Sequence, residues 1–378
     1  MTGLHVAVQV DQLWFAAPGG IGTYVRNLVP ALAARETSLA LTLFHARFGT
    51  PEVPERWMRD HSVKELPASI RSLYPRWAVL GRPALPASLA LADVVHATNH
   101  AAVPPVANGR CLVVTVHDLA FEHLPGMFSR PWRLMYRAGL RAAVRRADAT
   151  ITPSRNTAED VLSRTEVDPG KLRVVPLAAS LPRGTLDAEE VLARLKVRTP
   201  YALFVGTLEP RKNLVRLVRA YRRVAATGLP HALVLAGPLG WQHEPLMREL
   251  ALRGPGEIVM TGRIGGDELD TLYRGADAFV YPSLYEGFGL PVVEAMARGI
   301  PTITSTTSSL PEVAGDAAEG VDPRSVRDIA RALERVLSDV ETAEALAAKG
   351  RARAERFSWD ETARLTLEVY EDLVGTKS

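Results

Sequence analysis

The sequence predicts an α/β protein made of two doubly wound, Rossmann-like domains, and three observations carry that expectation. Short β-rich runs alternate with longer helical patterns along the whole chain, as parallel sheets covered by helices require. The 378 residues exceed what one core of ~250–300 residues usually holds. The alternation also restarts near Ser180–Thr185, where Leu181-Pro-Arg-Gly184 reads as a linker.

In the first half, strands are expected at Leu4–Val10, Leu39–His45, Asp93–Thr98, Leu112–His117, Ala149–Pro153 and Leu172–Pro176. Their near-continuous Val, Leu and Ala suit strands buried on both faces. Helical patterns fall at Thr23–Ala34, Pro131–Ala147 and Ser154–Ser163. The second series has strands at Tyr201–Val205, His231–Ala236, Glu257–Thr261, Ala278–Tyr281 and Pro301–Thr304. Asp187 with Glu190, and Ser358 with Glu361, have capping-box spacing and open helices. The expected division is 1–183 and 184–357, followed by a terminal helix over 358–378. Two such sheets put ligands at the carboxyl ends of strands, where the domains face one another.

Composition narrows the function classes. An apolar fraction of 47% with 23% charged residues is ordinary for a globular enzyme. No apolar run reaches the ~18 residues of a membrane span, and Met1–Val10 lacks a basic leader and cleavage site, so a cytoplasmic location is expected. The single cysteine, Cys111, excludes an internal disulfide and a cysteine-rich metal site and is expected to be a buried strand residue. The net charge of +3 is uneven: residues 1–185 hold 21 basic and 14 acidic residues, the remainder 24 and 28. A basic first half suits an anionic partner. Nucleic acid is not expected, since zinc-finger spacing, RNA-binding aromatics and a polybasic tail are all missing.

The chemistry concentrates after the strand Ala278–Tyr281, in Glu286-Gly-Phe-Gly-Leu-Pro-Val-Val-Glu294. Gly287 and Gly289 permit a tight turn and Pro291 suits a first helical turn, so a helix start with its free N–H groups follows the strand. Such a start cradles a phosphate, while Glu286 and Glu294 need donors, for which sugar hydroxyls are suited. After Tyr201–Val205 comes Gly206-Thr-Leu-Glu-Pro-Arg211-Lys212-Asn213, whose adjacent cations would balance a diphosphate.

Three further features stay open between a structural and a ligand role. Pro18-Gly-Gly-Ile-Gly-Thr-Tyr24 is a flexible loop or a close approach for phosphate or sugar. As a dinucleotide fingerprint it fails, because Val25 stands where the third glycine belongs and the loop from Asp11 is long. His117 ends a central strand as either a core histidine or a cleft ligand group; the spacing of His117, Asp118, Glu122 and His123 fits no helical ligand pair, and no metal is expected. Arg130, Arg133, Arg137, Arg141 and Arg145 recur along one helical face, either solvated or in contact with anionic lipid.

The Glu286–Glu294 stretch resembles the E-x7-E signature of retaining GT-B glycosyltransferases of family GT4. The likeness continues through Gly206–Asn213, Ala236-Gly-Pro-Leu-Gly-Trp241, Tyr273-Arg-Gly-Ala-Asp-Ala-Phe279, Ser309-Leu-Pro-Glu-Val-Ala-Gly315 and Gly19–Gly22. It spans nearly the whole chain and is nearest in look to bacterial mannosyltransferases of surface polysaccharides. One departure is Pro176-Leu-Ala-Ala-Ser180, where relatives often carry Gly and Asp. The resemblance implies that Arg211 and Lys212 bind the donor diphosphate, Glu294 the ribose and Glu286 the sugar hydroxyls. It further implies that Phe288, Gly289 and Leu290 meet sugar and phosphate through their backbone, that Gly20 and Gly206 lie near the nucleotide, and that His117 meets an outer sugar hydroxyl. The last helix is implied to cross back onto the first, acceptor-binding domain.

The implied reaction moves a hexose, first of all mannose from GDP-mannose, to a glycan, lipid-linked or small-molecule hydroxyl by a metal-independent front-face route. No cofactor is expected beyond the nucleotide-sugar donor. Alternatives are a GT-B sugar-nucleotide epimerase, a transferase of UDP-hexoses or dTDP-deoxysugars, and a nucleotide-sugar-binding protein without catalysis.

Overall fold

The computed structural model describes residues 3–36, 38–49, 54–180 and 184–377. Of the expected linker Leu181–Gly184, residues 181–183 lie outside the described residues. Residues 1–177 with 358–378 form one compact unit, and residues 178–357 form a second.

Among the described residues, the first unit holds seven strands: β1 (His5–Gln9), β2 (Ala40–His45), β3 (Ser62–Glu65), β4 (Val94–Ala97), β5 (Cys111–Thr115), β6 (Ala149–Thr152) and β7 (Leu172–Val174). All neighbours are parallel, in the order β3-β2-β1-β4-β5-β6-β7. The chain runs outward one way from β1 and the other way from β4, so a switch point lies between these two strands. Val6, Val8, Val94, Val113 and Val114 are completely buried, as helices on both faces demand. Cys111 is a buried strand residue.

Strand β3 and the helix Ile70–Leu80 are among the elements without a counterpart in the sequence expectation. Strand β3, Ser-Val-Lys-Glu, is a mostly exposed edge strand without an apolar face to signal it. The helix Ile70–Leu80 contains Pro75, which interrupts its pattern, yet it buries Leu73 and Trp77 and stops at Gly81. The glycine segment is the start of a helix, which begins at Gly19, ahead of the expected Thr23, and runs to Arg35. Gly20 and Gly22 therefore belong to its first turns, and a Cβ on Gly22 would come within 2.2 Å of the Pro18 side chain.

The terminal helix Trp359–Lys377 belongs to this first unit. Its start is capped by the Ser358 hydroxyl, which accepts the Glu361 N–H at 3.1 Å. Asp360 pairs with Arg35 at 2.7 Å, and Thr362 donates to the Pro176 carbonyl at 2.7 Å. A buried polar relay completes the docking. Tyr370 Oη lies 2.6 Å from His96 Nδ1, His96 Nε2 lies 2.8 Å from Thr115 Oγ1, and Thr115 Oγ1 lies 3.2 Å from the Tyr24 hydroxyl.

The second unit holds β8 (Tyr201–Val205), β9 (Ala232–Ala236), β10 (Ile258–Gly262), β11 (Ala278–Tyr281), β12 (Thr302–Ser305) and β13 (Glu319–Val321). Their order is β10-β9-β8-β11-β12-β13, again all parallel, which is the Rossmann order with its switch point between β8 and β11. Strands β8 and β11 pair directly, Ala202 with Ala278 and Leu203 with Phe279. The segments that follow them, 206–213 and 282–289, consequently emerge side by side at the carboxyl edge of the sheet.

Candidate functional site

Segment 206–213 is shaped by close backbone approach. Gly206, at φ 147°, donates its N–H to the Ala236 carbonyl at 2.9 Å, and a Cβ on Gly237 would lie 2.1 Å from the Gly206 oxygen. Pro210–Lys212 then form a single 3-10 turn, closed by Asn213 in the left-handed region at φ 64°. The Asn213 amide donates to the carbonyls of Pro282 (3.0 Å) and Pro323 (2.6 Å), and Leu284 N–H donates to Arg211 O at 2.9 Å. Both loops are thereby locked together before any side chain of the site is placed.

Within that frame Glu286 bridges the two cations. Arg211 Nη1 donates to Glu286 Oε2 at 2.6 Å, and Lys212 Nζ donates to Glu286 Oε1 at 2.6 Å. Lys212 Nζ also donates to the Tyr281 hydroxyl at 2.5 Å, and Arg211 Nη1 to the Tyr285 carbonyl at 3.1 Å. Glu209 takes the other edge of the guanidinium, its Oε1 lying 3.0 Å from Nε and 2.8 Å from Nη2. Glu209, Lys212 and Glu286 are all buried. Burial pushes the Glu286 carboxyl up, but Arg211 and Lys212 outweigh it and hold its pKa down to about 2. Burial, reinforced by the Arg211 charge, pushes the Lys212 ammonium below its usual range.

The Glu286 backbone is pinned as well. Its N–H donates to the Ser308 hydroxyl at 3.0 Å, and the Ser309 hydroxyl lies within hydrogen-bonding distance of the carbonyls of Glu286 (2.9 Å) and Phe288 (3.0 Å). Gly289 turns the chain at φ 105° into the helix Leu290–Ala297, which has Pro291 in its first turn and no side-chain cap. Phe288 and Leu290 are buried, Phe288 standing edge-on to Phe357 with ring centres 5.6 Å apart.

Glu294 lies one turn into that helix and accepts from the Tyr273 hydroxyl at 2.9 Å. Arg298 stacks over the Tyr273 ring and donates to Glu294 O at 3.1 Å, while Asp270 holds the same guanidinium at 2.9 Å. Burial raises the Glu294 carboxyl, opposed by the Tyr273 hydrogen bond and the Arg298 charge.

His117 and Gly20 belong to the first unit. His117 Nε2 lies 2.9 Å from the Thr98 carbonyl, which can only accept, so this nitrogen carries the proton. Burial lowers the imidazole pKa, so the ring is neutral with Nδ1 as an acceptor, and Tyr24 packs edge-on against it at 5.0 Å. The residues beside His117 have separate partners: Asp118 caps Ala120 N–H (2.9 Å), Glu122 binds Arg137, and His123 pairs with Asp160 (2.7 Å).

The arginine stripe on the helix Arg130–Arg146 is not one uniform solvated face. Arg137 holds Glu122 through two hydrogen bonds of 2.6 and 2.7 Å, and Arg133 is half-buried. Arg130, Arg141 and Arg145 are exposed, as are Trp132 and Leu134.

Sequence reasoning assigned no role to Glu209, Tyr281 or Tyr273. Glu209 stands inside a stretch singled out for its cations, and its spacing to Arg211 was the available signal. The two tyrosines look like strand and helix core residues, and only the fold turns their hydroxyls toward Lys212 and Glu294.

Two Rossmann-like units, each a parallel sheet with its own switch point, make the GT-B fold. Residues 18–183 match Glycosyltransferase Family 4 and residues 190–353 match Glycosyl transferases group 1. The O-antigen chain mannosyltransferase B of Escherichia coli is 30% identical over 375 residues, covering 93% of this chain and 95% of that one. The chain belongs to this glycosyltransferase family. Among solved structures, sucrose-phosphate synthase from Thermosynechococcus elongatus superposes with a TM-score of 0.75 at 24% identity, covering 99% of this chain and all of that one. Anabaena HepE, in complex with UDP and glucose, gives 0.73 at 17% identity over 98% of this chain and 100% of its own.

Proposed function

We propose that this glycosyltransferase moves a hexosyl group, mannose from GDP-mannose in the first place, from a nucleoside diphosphate sugar to a hydroxyl acceptor with retention at the anomeric carbon. The observation that carries the reading is the Arg211–Lys212–Glu286 cluster at the switch point, where two cations and an uncapped helix start meet the place a diphosphate takes in doubly wound sheets. Mannose is favoured by the mannosyltransferase name of the Escherichia coli relative.

In this reading Arg211, Lys212 and the helix start at Leu290 stabilise the departing diphosphate as preorganised charge, without a metal. Glu294 holds the ribose and Glu286 the sugar hydroxyls, while His117 accepts from an outer hydroxyl through Nδ1. Gly20 and Gly206 let the nucleotide approach the backbone, and Phe288 and Gly289 meet the sugar. A glycosidase-type double displacement needs two carboxyls free to flank the anomeric centre, about 5 Å apart. Glu294 is tied to Tyr273, and in this reading Glu286 is engaged by sugar hydroxyls, which favours a front-face route in which the leaving phosphate takes the acceptor's proton. The acceptor belongs to the first unit. Arg130, Arg141 and Arg145 with Trp132 and Leu134 suit contact with an anionic membrane surface at the cytoplasmic side.

A thermal-shift screen of nucleotide sugars tests the reading, because a ligand at 100 times its Kd stabilises by about 2.7 kcal/mol. GDP-mannose is expected to give the largest shift, and product NMR to show the anomeric configuration kept. Epimerisation in a donor-only incubation, or a preference for UDP- or dTDP-sugars, would redirect the assignment.

A further inference from the structure

The two cations that the proposed function gives to a diphosphate already have anionic partners. Glu209 and Glu286 cancel the charges of Arg211 and Lys212, and an incoming diphosphate placed beside an ionised, buried Glu286 would be repelled by it. The two carboxylates are held differently. Glu286 spans the pair, one oxygen on Arg211 Nη1 and the other on Lys212 Nζ, each at 2.6 Å. Two oxygens of one phosphoryl group offer the same kind of bite, since Arg takes carboxylate and phosphate alike in forked geometry. Glu209 instead grips the Nε–Nη2 edge of Arg211 through one oxygen, and its side chain is only 3% exposed.

Resting on the donor reading above, we propose that Glu286 is an exchangeable counter-anion that a donor diphosphate displaces from Arg211 and Lys212, and that Glu209 is the positioning residue that keeps Arg211 in place during the exchange. The surroundings suit a movement of the Glu286 side chain alone. Its backbone is tied to Ser308 and Ser309, so the carboxylate can leave the cations and meet sugar hydroxyls without moving the loop. Arg211 Nη1 keeps the Tyr285 carbonyl, and Lys212 keeps the Tyr281 hydroxyl, so neither cation loses its seat. After transfer, the returning carboxylate competes with the nucleoside diphosphate and promotes its release.

Titration calorimetry of the full chain with GDP, UDP and dTDP, on wild type, Glu286→Gln and Glu209→Ala, separates the roles by sign. Glu286→Gln is nearly isosteric and should bind the preferred nucleoside diphosphate severalfold more tightly than wild type, while turning over more slowly. Glu209→Ala should bind it roughly tenfold more weakly, the scale of one charge-assisted hydrogen bond, and Glu209→Gln, which keeps an acceptor oxygen, should recover part of that loss. Weaker binding by Glu286→Gln would overturn the exchange. Tighter binding by Glu209→Ala, which removal of a negative charge alone predicts, would overturn the positioning role. Wild type that binds none of the three nucleotides would remove the donor reading itself, an outcome distinct from binding with the variants in another order.

Discussion

Lys212 and Glu286 stand 74 residues apart in the chain and 2.6 Å apart in space. The pairing of β8 with β11 makes that contact, because it sets the two loops carrying these residues at neighbouring strand ends. A lysine this deeply buried beside an ionised glutamate is a poor investment in stability by itself, since desolvation of both charges offsets their attraction. Its place at the switch point of the second sheet is what the proposed donor role rests on.

Replacing both Arg211 and Lys212 by Ala should abolish transfer and nucleoside diphosphate binding. It should also destabilise the second unit by about 3 kcal/mol, the scale of leaving a buried carboxylate without its partners. Near-normal turnover by the double variant would remove the phosphate role.

Stability should depend on pH through Glu286 with a defined sign. Its carboxyl has a pKa of about 2 in the folded protein, against ~4.3 in an unfolded chain. The folded state therefore binds this proton more weakly, and the stabilisation is complete above ~4.3 and lost as pH falls toward about 2. Denaturation of wild type and Glu286→Gln across this range should show a gap that closes with acid. Glu294 has the opposite sign, because its raised pKa favours the folded state at low pH and weakens it as pH rises through the folded value. Glu294→Gln should accordingly equal or exceed wild type in Tm at neutral pH, and a clear loss there would contradict the burial effect.

Gly289→Ala should be costly for two reasons. The residue sits at φ 105°, and a Cβ would approach Leu310 Cδ2 to 2.6 Å. A loss of about 1–3 kcal/mol is expected from the strain, with further loss from displaced Leu310. Gly228→Ala is the control: its φ is 92°, yet a Cβ there meets nothing within 4 Å. Chemical denaturation should rank Gly289→Ala as the more damaging of the two.

Tyr370→Phe removes one hydroxyl from the relay through His96 and Thr115. It leaves a buried imidazole nitrogen without its partner, for an expected cost of about 1–3 kcal/mol. Nucleotide affinity should be unchanged. A Tm equal to wild type would mean that the relay contributes nothing to the docking of the last helix.

Contact with an anionic surface through Arg130, Arg141 and Arg145 should appear as co-sedimentation with anionic vesicles at low salt, reduced by salt and by Trp132→Ala. Among the described residues, no helix is long and apolar enough to cross a membrane, so sedimentation that survives high salt would point to another mode of attachment.

Much of the architecture is legible in the amino-acid order because each buried parallel strand must be apolar on both faces. Tyr201–Val205 and Ala278–Tyr281 coincide with their expected limits, and most others shift by a residue or two. The motif Glu286–Glu294 and the cations Arg211 and Lys212 were visible for the same local reason: glycines, proline and charge cluster where a strand gives way to a helix. Strand β3 was invisible because an edge strand needs no apolar pattern, and the early start of the helix at Gly19 because glycine is a weak helix signal. Only the tertiary structure decided how the charges are shared. Strand order is a non-local property, set by packing of whole layers, and it decided that Glu286 faces both cations and that Tyr281 meets Lys212, while helix packing brought Tyr273 to Glu294 and the local turn set Glu209 on the far edge of Arg211.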